Sequence, residues 1–252
     1  LKRESLITRK SIEKPLRDLF EICDLNPSVS FLGGEPLLTP DCCSILELSK
    51  EIGFSNLGIS TNGTLVDQRF VDTAVKTGLN VQISMDGWNE KMVDSWRGKG
   101  VFNKAMESIE MLTIAGVPID LSMTVTAKNF GDIHHFIDFA RSIGCKARFL
   151  SLFESGRANK NNLKRPPILP FVKKNIDMIK KDPTIVHYLG GSFMGSMASL
   201  RVCCGYHSCA AGSFVVSIGS DGNVSPCVVI RSVSPDYIAG NILNDCVKKI
   251  YK

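Results

Sequence analysis

Five short apolar segments alternate with helical patterns, and this alternation constrains the fold more than any other feature. Helices are predicted where apolar residues recur every three to four positions, over 7–23, 40–52, 66–77, 101–115 and 131–143. Strands are predicted over 29–32, 57–63, 79–85, 117–125 and 147–153. Strands that alternate with helices form a parallel sheet with right-handed crossovers. Because a helix precedes the first strand, one more strand is expected upstream, and six units would make an α/β fold of the partial (β/α)6 barrel type.

The predicted strands end in residues that are unusually polar or small. The active site of a (β/α) barrel lies at the carboxyl ends of its strands. This pattern therefore predicts a polar ligand across the top of the barrel. The ends are Gly33-Gly34-Glu35, Ser60-Thr61-Asn62, Ser84-Met85-Asp86, Thr124-Val125-Thr126 and Leu152-Phe153-Glu154.

The first of these ends is a glycine turn, Gly33-Gly34-Glu35-Pro36. Paired glycines let a ligand approach the backbone N–H and C=O groups without a Cβ in the way. Pro36 removes a donor and fixes the turn. One alternative is an ordinary strand-to-helix turn. Another is the phosphate site of a different (β/α) barrel enzyme, but Glu35 would repel a phosphate.

Composition excludes several classes of protein. The net charge of +5 is mild and spread along the 252 residues, whereas a nucleic-acid surface needs clustered Lys and Arg. No apolar run approaches the ~20 residues of a membrane span. The nine cysteines are odd in number, and Leu1-Lys2-Arg3-Glu4 is not a secretion signal, which favours a reducing, cytoplasmic compartment.

A cysteine-rich unit follows the barrel. Cys203, Cys204 and Cys209 precede a predicted strand over 214–218, and Asp221-Gly222-Asn223 predicts a hairpin turn. The return strand, predicted over 224–230, carries Cys227 at its middle and brings it back toward Cys209. Three converging thiolates are typical of an iron–sulfur site, although a structural zinc site needs the same ligands. The other cysteines, Cys42-Cys43 and Cys246 among them, are interpreted as small buried hydrophobes.

Residues 29–154 resemble the barrel of radical S-adenosylmethionine (radical SAM) enzymes. The matching segments are Gly33-Gly34-Glu35-Pro36, Ser60-Thr61-Asn62-Gly63, Ile83-Ser84-Met85-Asp86-Gly87 and Arg97-Gly98. Residues 203–227 resemble the opening half of a SPASM auxiliary cluster domain. Cys209 is followed there by twelve residues, Gly222, four residues and Cys227.

The resemblance implies S-adenosylmethionine and [4Fe–4S] clusters as cofactors, and it assigns residues to them. The backbone of Gly33 and Gly34 would bind the methionyl amino group, and Ser84 and Arg97 would bind the carboxylate end or the ribose. Leu152 would pack on the adenine. The full set implied for S-adenosylmethionine is Gly33, Gly34, Glu35, Pro36, Ser60, Asn62, Ser84, Asp86, Arg97 and Leu152. An auxiliary cluster would be held by Cys203, Cys209 and Cys227, with Cys204 as a competing ligand. Without the resemblance, Arg97 is an ordinary surface arginine and Ser84 a strand-end serine.

The function implied is that of a radical SAM oxidoreductase. A 5′-deoxyadenosyl radical would take a hydrogen atom from a peptide or protein side chain, with ferredoxin or flavodoxin as electron donor. A tetrapyrrole or other cofactor precursor is the alternative substrate. A non-catalytic metal-binding or interaction module is the alternative class. Val228 follows Cys227 where sulfatase-maturing members carry an aspartate, which disfavours that activity.

The loop that defines the family, CxxxCxxC, has no match in this chain. It is expected upstream of residue 1, and the remaining SPASM cysteines are expected beyond residue 252. The chain is therefore interpreted as part of a longer protein and as inactive by itself. The predicted domains are a partial barrel over 1–160, a linker with a helix at 168–181 over 161–200, and half of a SPASM-like domain over 201–252.

Overall fold

A computed structural model describes residues 7–23, 26–152, 157–185, 215–231 and 234–250. The chain divides into two compact units. The first comprises Leu1–Ile59, Gln68–Leu79 and Ser208–Lys252, and the second comprises Ser60–Asp67 and Asn80–His207. None of the helices in the described ranges is long and apolar enough to cross a membrane. The domain boundaries expected at residues 160 and 200 stay a prediction.

Alternating strands and helices run through the described residues as the sequence predicts. The helices are α1 (Arg9–Ile22), α2 (Cys42–Ile52), α3 (Gln68–Thr77), α4 (Glu90–Arg97), α5 (Val101–Ile114), α6 (Ile133–Ser142), α7 (Arg157–Lys160), α8 (Ile168–Lys181), α9 (Val228–Arg231) and α10 (Val247–Ile250). The strands are β1 (Ser28–Phe31), β2 (Asn56–Thr61), β3 (Asn80–Ser84), β4 (Ile119–Val125), β5 (Lys146–Ser151), β6 (Ser217–Ile218), β7 (Asn223–Ser225) and β8 (Gly240–Asn241). The first five strands form one sheet in the order β1-β2-β3-β4-β5.

In the first unit, β1 pairs in parallel with β2, with Ser28 opposite Asn56 and Phe31 opposite Ile59. The helix α1 begins with a capping box, in which Thr8 and Ser11 exchange hydrogen bonds between side chain and backbone. Its Arg9 side chain reaches Glu51 at 2.8 Å, which ties α1 to α2.

In the second unit, β3, β4 and β5 pair in parallel and bury one face against helices. Apolar residues at alternate positions are almost fully buried, and Phe149 of β5 packs edge-to-face on Phe136 of α6. The intervening positions form a polar face. Its residues are Gln82, Ser84, Asp120, Ser122, Thr124, Lys146 and Arg148, with Leu150 the apolar member.

Residues 90–97 form α4, a helix that is not among those predicted from the sequence. Asn89 caps this helix, since its side-chain oxygen accepts a hydrogen bond from the Met92 backbone N–H at 3.0 Å. Val93 is the only residue of α4 that is fully buried. A two-turn helix with one buried position carries too little apolar periodicity to be recognised from sequence.

A second, antiparallel sheet has the order β6-β7-β8 and confirms the predicted hairpin. Gly222 takes a φ of +81°, as its Asp-Gly turn requires. The return strand is shorter than predicted, because β7 ends at Ser225 and a helical turn begins at Val228. Pro226 follows the strand directly and lacks the N–H that a ladder needs. Cys227 therefore lies after the strand rather than at its middle.

The described cysteines outside the hairpin differ in burial, and Cys43 is half-buried. Cys42 and Cys145 are buried, which confirms their interpretation as small hydrophobes. Cys23 and Cys246 are exposed, contrary to that interpretation. Cys246 immediately precedes α10, and its neighbour Val247 takes the buried position instead. Cys203, Cys204 and Cys209 lie outside the described residues.

Candidate cofactor-binding site

The glycine turn of the first unit presents open backbone. Gly33 has a φ of +140°, in the range that favours glycine. A Cβ at Gly33 or Gly34 would meet no atom of the described residues within 4 Å. Glu35 folds onto its own turn, where a side-chain oxygen accepts from the Leu37 N–H at 3.2 Å, and Pro36 begins this short 3₁₀ turn. The flanking Leu32 is 60% exposed. The turn therefore leaves a ligand free to approach the main chain at the glycines.

In the second unit, the end of β3 is organised by Asp86. One of its carboxylate oxygens, Oδ1, accepts a hydrogen bond from the Thr124 backbone N–H at 2.7 Å. The other, Oδ2, pairs with Nη2 of Arg97 at 2.5 Å. The side chains of Arg97 and Asp86 are only 24% and 14% exposed. Asp86 thus connects the turn after β3 with β4 and with the last residue of α4.

Arg97 has a buried donor that no described residue satisfies. Its Nε is buried and has no hydrogen-bond partner among the described residues. A buried N–H of a guanidinium without a partner is costly, so such a group points to an anionic acceptor supplied by a ligand. Ser84 is the last residue of β3, and its hydroxyl accepts a hydrogen bond from the Ser122 hydroxyl at 3.5 Å, which leaves further hydrogen-bonding capacity on Ser84.

Gly87 allows α4 to fold back onto this turn. A Cβ at Gly87 would lie 2.7 Å from the Met92 Cβ and 3.2 Å from the Val93 backbone N. Because glycine has no Cβ, α4 can pack close enough to this turn for Arg97 to reach Asp86. In the Asp86-Gly87 pair, Asp86 therefore binds Arg97 and Gly87 leaves room for α4.

The turn after β2 is held by internal hydrogen bonds. Asn62 accepts from the backbone N–H and the hydroxyl of Thr64, both at 2.7 Å. The Ser60 hydroxyl accepts from the Gln82 side-chain amide at 3.0 Å, across from β3. The Ser108 hydroxyl of α5 donates to the Gly63 carbonyl. A role of Ser60 and Asn62 in cofactor binding stays a prediction.

Leu152 follows β5 directly and is buried. Its carbonyl accepts a hydrogen bond from Nε of Arg165 at 2.9 Å. Its contact with adenine stays a prediction.

The predicted cluster ligands are only partly within the described residues. Cys227 is half-buried, and the Ser225 hydroxyl donates to its carbonyl at 3.3 Å. Within the described ranges, no three His, Cys, Asp or Glu side chains are grouped closely enough to hold a metal ion. The set of Cys203, Cys209 and Cys227 therefore stays a prediction.

Sequence reasoning overlooked Gln82 and Ser122, which lie on the polar face of β3–β5 beside Ser60 and Ser84. A signal was present in the strict alternation of apolar and polar residues along β3. A strand covered by helices on both faces would be apolar throughout.

Comparison with known proteins identifies the family. The sequence model of the Radical SAM superfamily matches residues 3–140, more than half of the chain. This chain belongs to the radical SAM superfamily. A second match, to the SPASM model described as an iron–sulfur cluster-binding domain, covers residues 209–252. The cofactors of these two domain types are S-adenosylmethionine and [4Fe–4S] clusters.

Relatives within the superfamily fall into two groups by coverage. Mycofactocin maturase MftC of Mycolicibacterium smegmatis is 27% identical over 228 residues, which are 86% of this chain and 55% of that protein. AdoMet-dependent heme synthase of Methanosarcina barkeri is 30% identical over 139 residues, which are 54% of this chain and 40% of that protein. The radical SAM chain described here thus spans about half the length of its curated relatives.

The fold is shared with solved structures of radical SAM enzymes. Streptococcus suis SuiB bound to the precursor peptide SuiA superposes with a TM-score of 0.73 at 18% identity, over 97% of this chain and 58% of that one. The predicted fold class is confirmed.

The described residues fit S-adenosylmethionine by their chemistry. The glycine turn offers main-chain groups to which no Cβ blocks access, as a methionyl amino group requires. Arg97 offers a buried N–H without a protein partner, as a carboxylate requires. The glycine turn belongs to the first unit of the radical SAM chain, and Arg97 belongs to the second.

Proposed function

We propose that this chain is the core of a radical SAM maturase, an oxidoreductase that modifies a peptide or protein side chain. The observation that carries the proposal is the extent of the matches. Similarity to the maturase MftC runs over 86% of the chain, whereas similarity to heme synthase runs over 54%. A match that spans both the barrel and the SPASM region supports the maturase group.

In this proposal, the residues of the chain bind and orient the cofactor. The backbone of Gly33 and Gly34 receives the methionyl amino group, Arg97 and Ser84 receive the carboxylate, and Leu152 packs on the adenine. When bound, S-adenosylmethionine and the reduced cluster supply the radical chemistry that removes a hydrogen atom from the substrate. A ferredoxin or flavodoxin of the cytoplasm would supply the electron. Cys203, Cys209 and Cys227 would hold the auxiliary cluster.

The polar face of β3–β5 supports a peptide as substrate. Gln82 and Thr124 present an amide and a hydroxyl group there, and the Asp120–Arg148 ion pair joins β4 to β5. Such groups can pair with the amide groups and polar side chains of an extended peptide. The opposite face of the same strands is fully buried, so the polar face is the one left for a ligand.

The alternative substrate is a tetrapyrrole. It is favoured by the 30% identity to heme synthase over 139 residues, which is higher than the 27% identity to MftC over 228 residues. The match to heme synthase covers 54% of the chain, against 86% for MftC, so it supports the alternative substrate over a shorter part of the chain.

The experiment uses the protein expressed from its complete reading frame, with its clusters reconstituted under anaerobic conditions. It is incubated with S-adenosylmethionine, dithionite, and either the peptide encoded by a neighbouring short reading frame or iron coproporphyrin III. We expect a change in the mass of the peptide, matched in amount by 5′-deoxyadenosine. A change in the porphyrin alone would support the alternative substrate and would refute the maturase proposal.

A further inference from the structure

We propose that Asp86 is a positioning residue, which orients Arg97 toward the carboxylate of S-adenosylmethionine and does not itself bind the cofactor. This inference rests on the proposed function, because it assumes that the chain binds S-adenosylmethionine. It replaces the expectation that Asp86 is a direct contact of the cofactor.

The hydrogen bonds of Asp86 leave it little to offer a ligand. Oδ1 accepts from Thr124 and Oδ2 from Arg97, so both carboxylate oxygens already have protein donors. A carboxylate is also the wrong group to face the carboxylate of the methionyl moiety, because like charges repel. The same charge is the right one to hold a guanidinium.

The backbone at Asp86 shows that the fold maintains this arrangement against strain. Asp86 has a φ of +58°, in the left-handed region that residues with a Cβ seldom adopt. Aspartate and asparagine tolerate this region better than most residues because their short polar side chains can bond locally. Strain of this kind persists where the surrounding contacts determine it, and such positions cluster at ligand sites.

The Arg97 guanidinium is bonded through one nitrogen and has another buried nitrogen without a described partner. Its Nη2 is fixed by Asp86, while its Nε is buried without a partner in the described part of the chain. An arginine fork fixed at one nitrogen can present its remaining N–H groups in a set direction, which is the geometry that favours a planar carboxylate. The Nε–H without a described partner therefore marks the side of the guanidinium that would face the ligand.

Two effects of Asp86 on cofactor binding have opposite signs, and the experiment separates them. As a negative charge beside Arg97, Asp86 weakens the attraction between Arg97 and a carboxylate. As an anchor, it fixes the direction of the guanidinium and strengthens binding. The side chains of Arg97 and Asp86 are only 24% and 14% exposed, and a half-buried arginine without its anchor would lose its set direction. We therefore expect the anchoring effect to exceed the Coulombic one.

The variant Asp86→Asn isolates the contact with Arg97. Its side-chain oxygen can still accept from the Thr124 N–H, and asparagine tolerates the left-handed φ. Its amide nitrogen faces the guanidinium donor to donor, so the bond to Arg97 is lost. The matched control is Asp182→Asn. Asp182 also accepts from a backbone N–H, that of Thr184, and pairs with an arginine, Arg141, at 2.8 Å.

The measurement is equilibrium dialysis of the full-length, cluster-loaded protein with S-adenosylmethionine and with decarboxylated S-adenosylmethionine, which lacks the carboxylate. For Asp86→Asn we expect the Kd for S-adenosylmethionine to rise roughly 10- to 100-fold, as for the loss of a hydrogen bond to a charged group. The Kd for the decarboxylated ligand should stay unchanged, and Asp182→Asn should match the wild type for both ligands. In the double variant Asp86→Asn with Arg97→Gln, the loss should be no larger than for Arg97→Gln alone.

Several results would overturn the inference. Equal or tighter binding of S-adenosylmethionine by Asp86→Asn would show that the anchor is not needed. An equal loss for both ligands would show a general structural role. If the wild-type holoenzyme binds neither ligand, the proposed function fails, and this outcome is distinct from a failure confined to the variant.

Discussion

The Asp86 carboxylate and the Arg97 guanidinium, eleven residues apart in the chain, meet at 2.5 Å between Oδ2 and Nη2. Three features of the sequence make this contact. Asp86 adopts a left-handed φ, Gly87 leaves room for α4, and Asn89 caps the start of this helix, whose last residue is Arg97. The charged side chain that would receive a carboxylate is therefore placed by the fold before any ligand arrives.

Gly34→Ala should separate binding from folding. An alanine Cβ at this position meets no described atom within 4 Å, and φ lies outside the left-handed range. We therefore expect the free energy of unfolding to stay the same or to rise by up to ~1 kcal/mol. The Kd for S-adenosylmethionine should rise about tenfold or more, because the methyl group occupies the space that the ligand must enter. Thermal unfolding and equilibrium dialysis measure the two quantities. Gly131→Ala, where the nearest atom is the Lys174 Nζ at 3.7 Å, is the control: its free energy of unfolding should behave in the same way, and its Kd should not change.

Gly87→Ala should have the opposite effect on folding. Its Cβ would lie 2.7 Å from the Met92 Cβ, so α4 must shift away from the turn. Overpacking of this kind costs about 1–3 kcal/mol in the free energy of unfolding. Urea unfolding of the variant beside wild type and Gly131→Ala measures the loss. An unchanged midpoint would mean that α4 is not packed against the turn in this way.

Asn241→Ala should loosen the antiparallel sheet of the first unit. The Asn241 amide donates to the Asp221 carbonyl at 2.9 Å and to the Asn223 side chain at 3.0 Å, and its oxygen accepts from the Leu243 N–H at 3.0 Å. The loss of these bonds should cost about 2–3 kcal/mol locally. Hydrogen exchange at the Gly219, Gly222 and Ile242 amides should accelerate, because these amides close the same turn.

The control for that experiment is Asn244→Ala at a neighbouring exposed position. It should leave exchange at the same three amides unchanged. If Asn241→Ala exchanged no faster than Asn244→Ala, the side-chain network would not be holding the hairpin.

The rate at which each cysteine is alkylated should fall as its thiol becomes more buried. Burial raises the pKa of the Cys42 thiol to about 12, with Cys43 and Glu35 adding to the effect, and burial raises that of Cys145 to about 11. Only the thiolate reacts, so iodoacetamide at pH 8 should label exposed Cys23 and Cys246 well before Cys42 and Cys145. Mass spectrometry of the digested protein gives the order. Labelling of Cys42 at the rate of Cys246 would contradict the packing of α2.

Sequence patterns predicted the order of strands and helices because each long element has several buried positions at regular spacing. The helix α4 escaped prediction because Val93 alone is fully buried in it. Val228 and its apolar neighbours suggested a continued strand after β7, whereas Pro226 interrupts the ladder. Both errors concern short segments in which one residue decides the structure.

The sequence predicted which residues belong to the candidate site, but it did not predict the contacts among them. Motif resemblance named Gly33, Gly34, Ser84 and Arg97, and these are the groups with open backbone or free hydrogen-bonding capacity. The anchoring of Arg97 by Asp86 depends on a left-handed backbone and on a helix that folds back. Neither follows from local spacing, since both are set by packing between β3, β4 and α4.

The central claim, that this chain forms the S-adenosylmethionine site of a radical enzyme, is tested most directly by cleavage of the cofactor. Full-length protein with reconstituted clusters is reduced with dithionite, and 5′-deoxyadenosine is quantified beside the Gly34→Ala and Gly131→Ala variants. We predict that wild type and Gly131→Ala form 5′-deoxyadenosine at the same rate and that folded Gly34→Ala forms it much more slowly. A wild-type protein that carries its clusters, yet neither binds nor cleaves S-adenosylmethionine, would contradict the claim.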